Sequence, residues 1–459
     1  MSLLIVGLDN TIVNVALPAI RRDLHASISG LQWTIDAYTL VLASLLTLGG
    51  STGDRIGRRR VFQTGLVVFS VSSLLCGFAP GLGWLIAFRM LQAVGGSMLN
   101  PVAMSIITNT FTEPRERARA IGVWAGVVGL SLALGPVVGG LLIDSVTWRA
   151  IFWINVPVGI LALVLTALYV PQSRAPRPRK LDPVAQVLVL VALASVTYAI
   201  IEGPNAGWTS PRIIGGFVLG AVAVVSLLRW EPRREEPLIE LRFFRSVPFS
   251  GSTVIAVCAF AALGGFLFLN TVYLQEVRHL SALRAGLYTL PIAVMTVVLG
   301  PLTGRFVGAR GPRVPLLISG VALTVSAWPM VRLTGHSPLW LVIVATSLFG
   351  LGFSTLNAPI TNTAVSGMPT SQAGVAAAIL STSRQVGQAL GVAVIGSTVT
   401  SALSGGTLGA GFATASRVGW WIISGCGLAV LVVGLVSTSR WARRTAVDTA
   451  EIDLVGASG

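Results

Sequence analysis

Apolar runs of about 20 residues, the length of helix that crosses a hydrocarbon core, follow one another along nearly the whole chain, with charged side chains gathered in the short stretches between them. Applied from end to end, that length rule gives fourteen spans, at 3–20, 33–52, 61–80, 84–110, 120–143, 151–170, 184–202, 212–230, 249–274, 285–304, 314–332, 338–362, 374–399 and 418–438. Only 11% of the 459 residues are charged, against about 25% in soluble domains. The polar face of a soluble fold cannot be built from this chain, and an all-α integral membrane protein is expected.

The positions of the charges carry more than their sum. A net charge of +15 raises the question of nucleic acid. The arginines sit in separate short loops rather than on one face, and no nucleic-acid motif accompanies them. With the N-terminus inside, the connections on the cytoplasmic side hold 22 Lys and Arg and the opposite side holds 8; Arg89 and Arg384, within spans, complete the 32. By the positive-inside rule both termini are cytoplasmic, which requires an even number of spans. Cys76, Cys258 and Cys426 lie inside apolar runs with no ligand-like spacing, and read as small buried hydrophobes. The chain opens almost directly on apolar sequence without a charged leader, so no cleaved signal peptide is expected. The first span is minimal, which leaves a trimmed start open.

Gly53-Asp54-Arg55-Ile56-Gly57-Arg58-Arg59-Arg60 separates two apolar runs, and a weaker echo, Gly304 to Arg313, recurs about 250 residues later. One loop class used twice suggests a duplicated protein whose halves meet around a central pathway. The division expected is a six-helix bundle over 1–170, two linker spans and a charged loop over 171–248, a second six-helix bundle over 249–438, and a cytoplasmic tail over 439–459.

Several strings then resemble one family in order. Leu8-Asp9-Asn10-Thr11-Ile12-Val13-Asn14-Val15-Ala16-Leu17-Pro18 is similar to a first-helix signature, and Gly53–Arg60 to the motif between spans two and three. Arg89-Met90-Leu91-Gln92-Ala93-Val94-Gly95-Gly96 is similar to a fourth-helix arginine motif. Gly122 with Gly135-Pro136-Val137-Val138-Gly139-Gly140 is similar to an antiporter signature of helix five, with Ser131 where a glycine is usual. Trp148 to Pro157 and Ser383 to Gln388 complete the set. Together they resemble the fourteen-span drug:proton antiporter branch of the major facilitator superfamily. The resemblance implies two six-helix bundles with two extra central helices, proton-coupled export of amphipathic compounds, and a role for Arg89 in proton coupling.

A charge at bilayer depth costs about 2.5–3.5 kcal/mol on insertion scales, so each needs a partner, water or a purpose. Arg89 is either the coupling residue or a structural donor to helix-end carbonyls. Asp36 is a proton carrier, an attractor of cationic substrates, or an interfacial carboxylate. Asp9, beside Asn10, Thr11 and Asn14, belongs either to a substrate-facing stripe or to an interhelical hydrogen-bond cluster. Arg384, followed by Gln385 and Gln388, either lines the pathway or bonds structurally. Glu276, beside Arg278 and His279, reads as a rim ion-pair cluster, and Glu202 as either a titrating group or an interfacial residue.

In Gly53–Arg60, Asp54 and Arg58 can pair with each other or with neighbouring helix ends, and with Gly53, Arg55, Gly57 and Arg59 they make either a gate latch or no more than a topology signal. Gly122, Gly135, Pro136, Gly139 and Gly140 permit close packing and a bend in span five, and Pro101, Pro291 and Pro359 are candidates for others. Trp33, Trp148, Trp208 and Trp340 fall near span ends, where an aromatic belt is expected. Trp124 lines either that belt or a drug pocket.

No phosphate-binding loop, metal-ligand cluster or Ser/His/Asp arrangement occurs, and His25, His279 and His336 lie in predicted outer loops. Neither catalysis, ATP hydrolysis, a cofactor nor a bound metal is expected. The partners expected are an amphipathic small molecule, protons and the bilayer of the cytoplasmic membrane, with no nucleic acid, and the chain is expected to work as a monomer.

Overall fold

A computed structural model describes the chain apart from residues 1, 112, 176–181, 235, 366–372, 404–407, 443 and 446–459. Most of the expected cytoplasmic tail therefore lies outside the described residues, as do the surroundings of Gly122 and Trp124.

Every regular element among the described residues is helical. In order they are α1 (Ser2–Leu24), α2 (Ile28–Ile56), α3 (Arg58–Gly77), α4 (Leu82–Thr110), α5 (Pro114–Ser145), α6 (Ala150–Trp153), α7 (Asn155–Tyr169), α8 (Pro183–Ala206) and α9 (Pro211–Trp230). There follow α10 (Val247–Val272), α11 (Ala282–Arg310), α12 (Arg313–Ser326), α13 (Trp328–Val331), α14 (Trp340–Ser354), α15 (Asn357–Val365), α16 (Ala373–Ala402), α17 (Leu408–Ala415) and α18 (Arg417–Ser437).

Twelve helical stretches among the described residues are long and apolar enough to cross a membrane. The other two of the fourteen expected spans fall on α5 and α16, which have the length, at 32 and 30 residues, but are not among the twelve. In α16 the cause is visible in the run Ser381-Thr382-Ser383-Arg384-Gln385, which places five polar residues at mid-helix.

Three expected spans are broken. The chain turns at Ile154 between α6 and α7, at Ala327 between α12 and α13, and at Thr355-Leu356 between α14 and α15. Pro157, Pro329 and Pro359 lie just past these breaks. A proline lacks an N–H and its ring crowds the carbonyl four residues back, here that of Trp153, Val325 or Thr355, each at or near its break. Pro101 and Pro291 behave differently from Pro359, since both stand inside continuous helices, α4 and α11.

The stretch Gly53–Arg60 is not a loop of eight residues. α2 continues through Gly53 to Ile56, α3 starts at Arg58, and Gly57 alone makes the joint with φ 123°. Only glycine adopts that backbone readily. The echo is built alike: α11 runs to Arg310, Gly311 turns with φ 84°, and α12 begins at Arg313.

The chain packs as two compact units, Met1–Val224 with Asn270–Leu290, and Val225–Leu269 with Pro291–Gly459. In the first, α4 packs against both α2 and α3, α1 against α5, and α8 against α2. Its apolar centre includes Tyr38, Leu42, Leu66, Phe69, Ala93 and Leu99. Trp33 Nε1 donates to Glu202 Oε1 (2.9 Å) and Asn205 Nδ2 to Ser29 Oγ (3.2 Å), which fastens α8 to α2.

In the second unit α12 packs on α14 and α18. Phe266 lies 4.4 Å from Phe349 and edge-on to Trp420 at 5.3 Å, ring centre to ring centre. Gly387 and Gly391 bring α16 onto α10 so closely that an added Cβ comes within 2.4 Å of Val257 O and 2.1 Å of Ala261 O.

Candidate functional site

The polar residues of α1 do not form one stripe; they divide between two neighbours. Thr11 faces α5, its Oγ1 lying 3.4 Å from Ser131 O while also reaching carbonyls of its own helix. An added Cβ on Gly135 meets Thr11 Oγ1 at 1.9 Å, and one on Gly139 meets Ile12 Cγ1 at 2.4 Å. The helix-five glycines thus remove the side chains that would hold α1 away. Gly140 faces backbone, with Leu283 Cα 2.4 Å from its would-be Cβ. Where Ser131 adds a side chain, Gly7 of α1 stands opposite and supplies the room. Asn14 turns its amide back to Asn10 O (3.0 Å).

Asp9 takes the other direction, into a fully buried cluster. Its Oδ2 accepts from Arg89 Nη1, and its Oδ1 accepts from Gln92 Nε2 (2.9 Å) and Asn155 Nδ2 (3.0 Å). Arg89 also donates through Nη1 to Gln92 Oε1 (2.8 Å) and through Nε to Thr34 O (3.4 Å). Its guanidinium carbon lies 4.1 Å from the centre of the Tyr38 ring. Asn155 donates a second time, to Ser73 Oγ (3.0 Å), and Ser73 in turn to Phe152 O (2.8 Å).

Asp9 is 0% and Arg89 1% exposed, so the two charges compensate one another out of contact with solvent. A charge pair in such surroundings is tolerable only when its remaining hydrogen-bonding groups are also filled, and Gln92, Asn155 and the Thr34 carbonyl fill them. Of the two sequence readings of Asp9, the interhelical cluster is the one built.

Asp36 contrasts with Asp9. It too is 0% exposed, yet neither carboxyl oxygen has a partner among the described residues. It is not an interfacial group held in water. A carboxyl sealed in this way is accommodated either as the neutral acid or against a cation. Arg384, in the second unit, is half-buried, and its Nη2 donates to Thr361 Oγ1 (2.9 Å).

At the Gly57 joint Arg58 and Asp54 pair, with Nη2 to Oδ1 at 2.8 Å. The segment after α7 closes over it: Arg58 N donates to Ser173 O (2.9 Å) and Ala175 N to Asp54 O (3.1 Å). Arg59 Nη2 donates to Ala167 O (2.6 Å).

Glu276 pairs with Arg21 (3.3 Å). Trp148 is no belt residue: it is buried, and its Nε1 donates to Asp23 Oδ2 (2.9 Å), the oxygen that also holds Arg149 (2.5 Å). Trp208 and Trp340 are exposed, as a belt requires.

Among the described residues no group of His, Cys, Asp and Glu is arranged to hold a metal. Residues 1–392 match the Major Facilitator Superfamily.

The chain belongs to that superfamily.

Membership makes it a multi-pass membrane transporter rather than an enzyme. Among relatives of this major facilitator chain, the multidrug resistance protein Stp of Mycobacterium tuberculosis is 35% identical over 88% of this chain and 75% of its own length. The tetracenomycin C resistance and export protein of Streptomyces glaucescens is 38% identical over 86% and 74%, and the multidrug efflux pump LfrA of Mycolicibacterium smegmatis 34% over 87% and 79%. A peptide transporter POT bound to sulfate has the same fold, with TM-score 0.69 at 16% identity over 97% of this chain and 94% of its own. A bacterial homolog of the lysosomal transporter Spinster gives 0.61 at 18% identity over 98% and 95%.

The partners of the major facilitator motifs were less legible than the motifs. Gln92, Asn155, Ser73 and Tyr38 carry the Asp9–Arg89 cluster, and sequence reasoning gave none of them a role. Gln92 was signalled by its place three residues after Arg89 on one helix face. Asn155 was signalled by being the lone amide in an apolar run.

Proposed function

We propose that this transporter is a proton-coupled antiporter of the fourteen-span branch, exporting amphipathic and in part cationic small molecules across the cytoplasmic membrane. Its bundles are 1–170 and 249–438, joined by the linker spans and loop of 171–248, with the tail 439–459 and the N-terminus both cytoplasmic. It works as a monomer.

The observation that carries the reading is the contrast between two buried carboxyls in one unit: Asp9 satisfied by Arg89, Gln92 and Asn155, and Asp36 with no partner among the described residues. A group that exchanges proton for cargo needs a state in which its charge is not already compensated. Asp36 meets that condition, and Asp9 meets it whenever Arg89 turns away. The cycle is competitive: a carboxyl holds a proton or a cationic substrate in turn, and Arg89 sets the electrostatics between them. Arg384 is a pathway-lining residue, and the Asp54–Arg58 pair across Gly57 latches the cytoplasmic side. The helix-five glycines give the close packing that the antiporter signature is associated with. Export of drugs is supported by the names of the relatives, several of which are resistance or efflux proteins.

A second reading is favoured by the Streptomyces relatives named for tetracenomycin C and methylenomycin A. In it the cargo is an antibiotic made by the same cell. The test is uptake of labelled compounds into proteoliposomes under an imposed pH gradient, with synthetic cations such as ethidium in one arm and polyketide antibiotics in the other. Accumulation of neither class under a gradient removes the antiporter reading.

A further inference from the structure

We propose that Asn155 is a positioning residue for the Asp9 carboxyl, holding its Oδ1 through the whole proton cycle so that Oδ2, on the Arg89 side, is the atom that gains and loses the proton. This rests on the proton coupling proposed above.

Asn155 is the first residue of α7, directly after the break at Ile154, and is 2% exposed. One nitrogen supplies both of its donated bonds, to Asp9 Oδ1 and to Ser73 Oγ, each 3.0 Å. Ser73 is fixed in turn by donating to Phe152 O at the end of α6 (2.8 Å). The broken span, α3 and α1 are thereby joined by one directed chain of hydrogen bonds, from Asn155 to Ser73 to the Phe152 carbonyl on one side and from Asn155 to Asp9 on the other.

The groups that face Asp9 differ in how they respond to its charge. Arg89 carries a full charge and sits over Tyr38, so its attraction to the carboxyl depends on ionisation. Gln92 comes from the same helix as Arg89; its Oε1 accepts from Arg89 Nη1 and its Nε2 donates to Asp9 Oδ1, so it moves with α4. Cys76 lies against Gln92 Oε1 at 3.9 Å and is a weak donor. Asn155 comes from a different helix and is neutral.

An amide N–H bonds the carbonyl oxygen of a neutral acid as well as an oxygen of the carboxylate. When a proton arrives at Oδ2 it displaces the Arg89 Nη1 hydrogen bond, while the Asn155 bond to Oδ1 stays. The carboxyl keeps its orientation and the arginine is the part released.

The test uses the full chain in proteoliposomes with ethidium as the probe and two readouts. One is accumulation driven by a pH gradient; the other is exchange of labelled for unlabelled ethidium with no gradient, which needs no net proton turnover. Asn155→Ala is expected to lose about tenfold or more of gradient-driven accumulation, the scale on which a small misplacement slows a reacting group, and distinctly less of the exchange. Asn155→Ser, which retains a donor, recovers part of the loss. Ser73→Ala, which frees Asn155 on its far side, gives the same split in weaker form and serves if the alanine variant of Asn155 fails to reach the membrane.

Equal losses in both readouts, or no loss in either, overturn the assignment. Asp9→Asn separates the two levels. If it keeps gradient-driven accumulation, the coupling role of Asp9 fails; if it loses it while Asn155→Ala behaves as wild type, only the positioning role fails.

Discussion

Asp144, in the last turn of α5, caps a helix that begins 138 residues later: its two carboxyl oxygens accept the first two N–H groups of α11, from Ala282 (3.1 Å) and Leu283 (2.9 Å). Ser281 Oγ accepts the third, from Arg284 (3.4 Å). These are groups that a helix cannot satisfy internally, and a carboxylate at that end is further favoured by the helix dipole. Asp144→Ala is expected to lower stability by about 0.5–2 kcal/mol, the range for a lost cap, and Asp144→Asn, which keeps one acceptor oxygen of the two, to recover part of it. Thermal unfolding in detergent micelles measures the difference. Equal melting temperatures for the alanine variant and the wild type contradict the capping role.

The α5 glycines are not equivalent. An added methyl at Gly140 meets backbone, Leu283 Cα at 2.4 Å and Ala282 O at 2.7 Å, whereas one at Gly139 meets the Ile12 side chain. A side chain gives way more cheaply than a main chain. Gly140→Ala should reduce both membrane abundance and transport more than Gly139→Ala does, by immunoblot and whole-cell efflux. The reverse order counts against the packing described.

Two joints built alike should respond differently. Gly57 combines φ 123° with a filled site, its would-be Cβ lying 2.0 Å from Gln172 Nε2; Gly311 has φ 84° and nothing within 4 Å. Gly311→Ala bears only the backbone strain, about 1–3 kcal/mol. Gly57→Ala bears that and the overlap, and Gln172→Ala should relieve the second part alone. A double variant no more stable than Gly57→Ala, by the same unfolding assay, shows that Gln172 is not the obstacle.

The Asp9–Arg89 pair predicts non-additivity. Removing one partner of a buried ion pair leaves a bare charge and costs about 3–5 kcal/mol, whereas replacing both with apolar groups of similar volume is often neutral. Asp9→Leu with Arg89→Met should therefore be more stable than either single variant, and all three should be inactive. Arg89→Lys should also fail in transport, since one ammonium cannot serve Asp9, Gln92 and the Thr34 carbonyl from a planar fork. A double variant that is the least stable of the three removes the pair as a compensated unit.

What sequence could reveal here followed from range. Span lengths, the Gly57 and Gly311 turns and the Asp54–Arg58 pair are local: apolar run length, one glycine, and a four-residue helical spacing decide them. The prolines show where local reading stops. Pro101 and Pro291 remain inside continuous helices while Pro157, Pro329 and Pro359 follow breaks. The rule at each is the same, and the outcome turns on whether neighbouring helices resatisfy the freed backbone groups.

Its position at a span end puts Trp148 at the membrane surface, but its indole N–H donates to the Asp23 carboxylate, which belongs to α1. Asp36 and Asp9 are the same side chain, each within an apolar run. That one has three donors and the other has none among the described residues depends on α4 and α7, which no window around either residue contains.

The most direct measurement is the accumulation of ethidium in proteoliposomes against its own gradient, driven only by an imposed pH difference, for the wild type and Asp36→Asn side by side. The account predicts uphill accumulation by the wild type that collapses with a protonophore, and none by the variant, although it inserts and melts like the wild type. Undiminished pH-driven accumulation by Asp36→Asn, or wild-type accumulation indifferent to the pH difference, contradicts it.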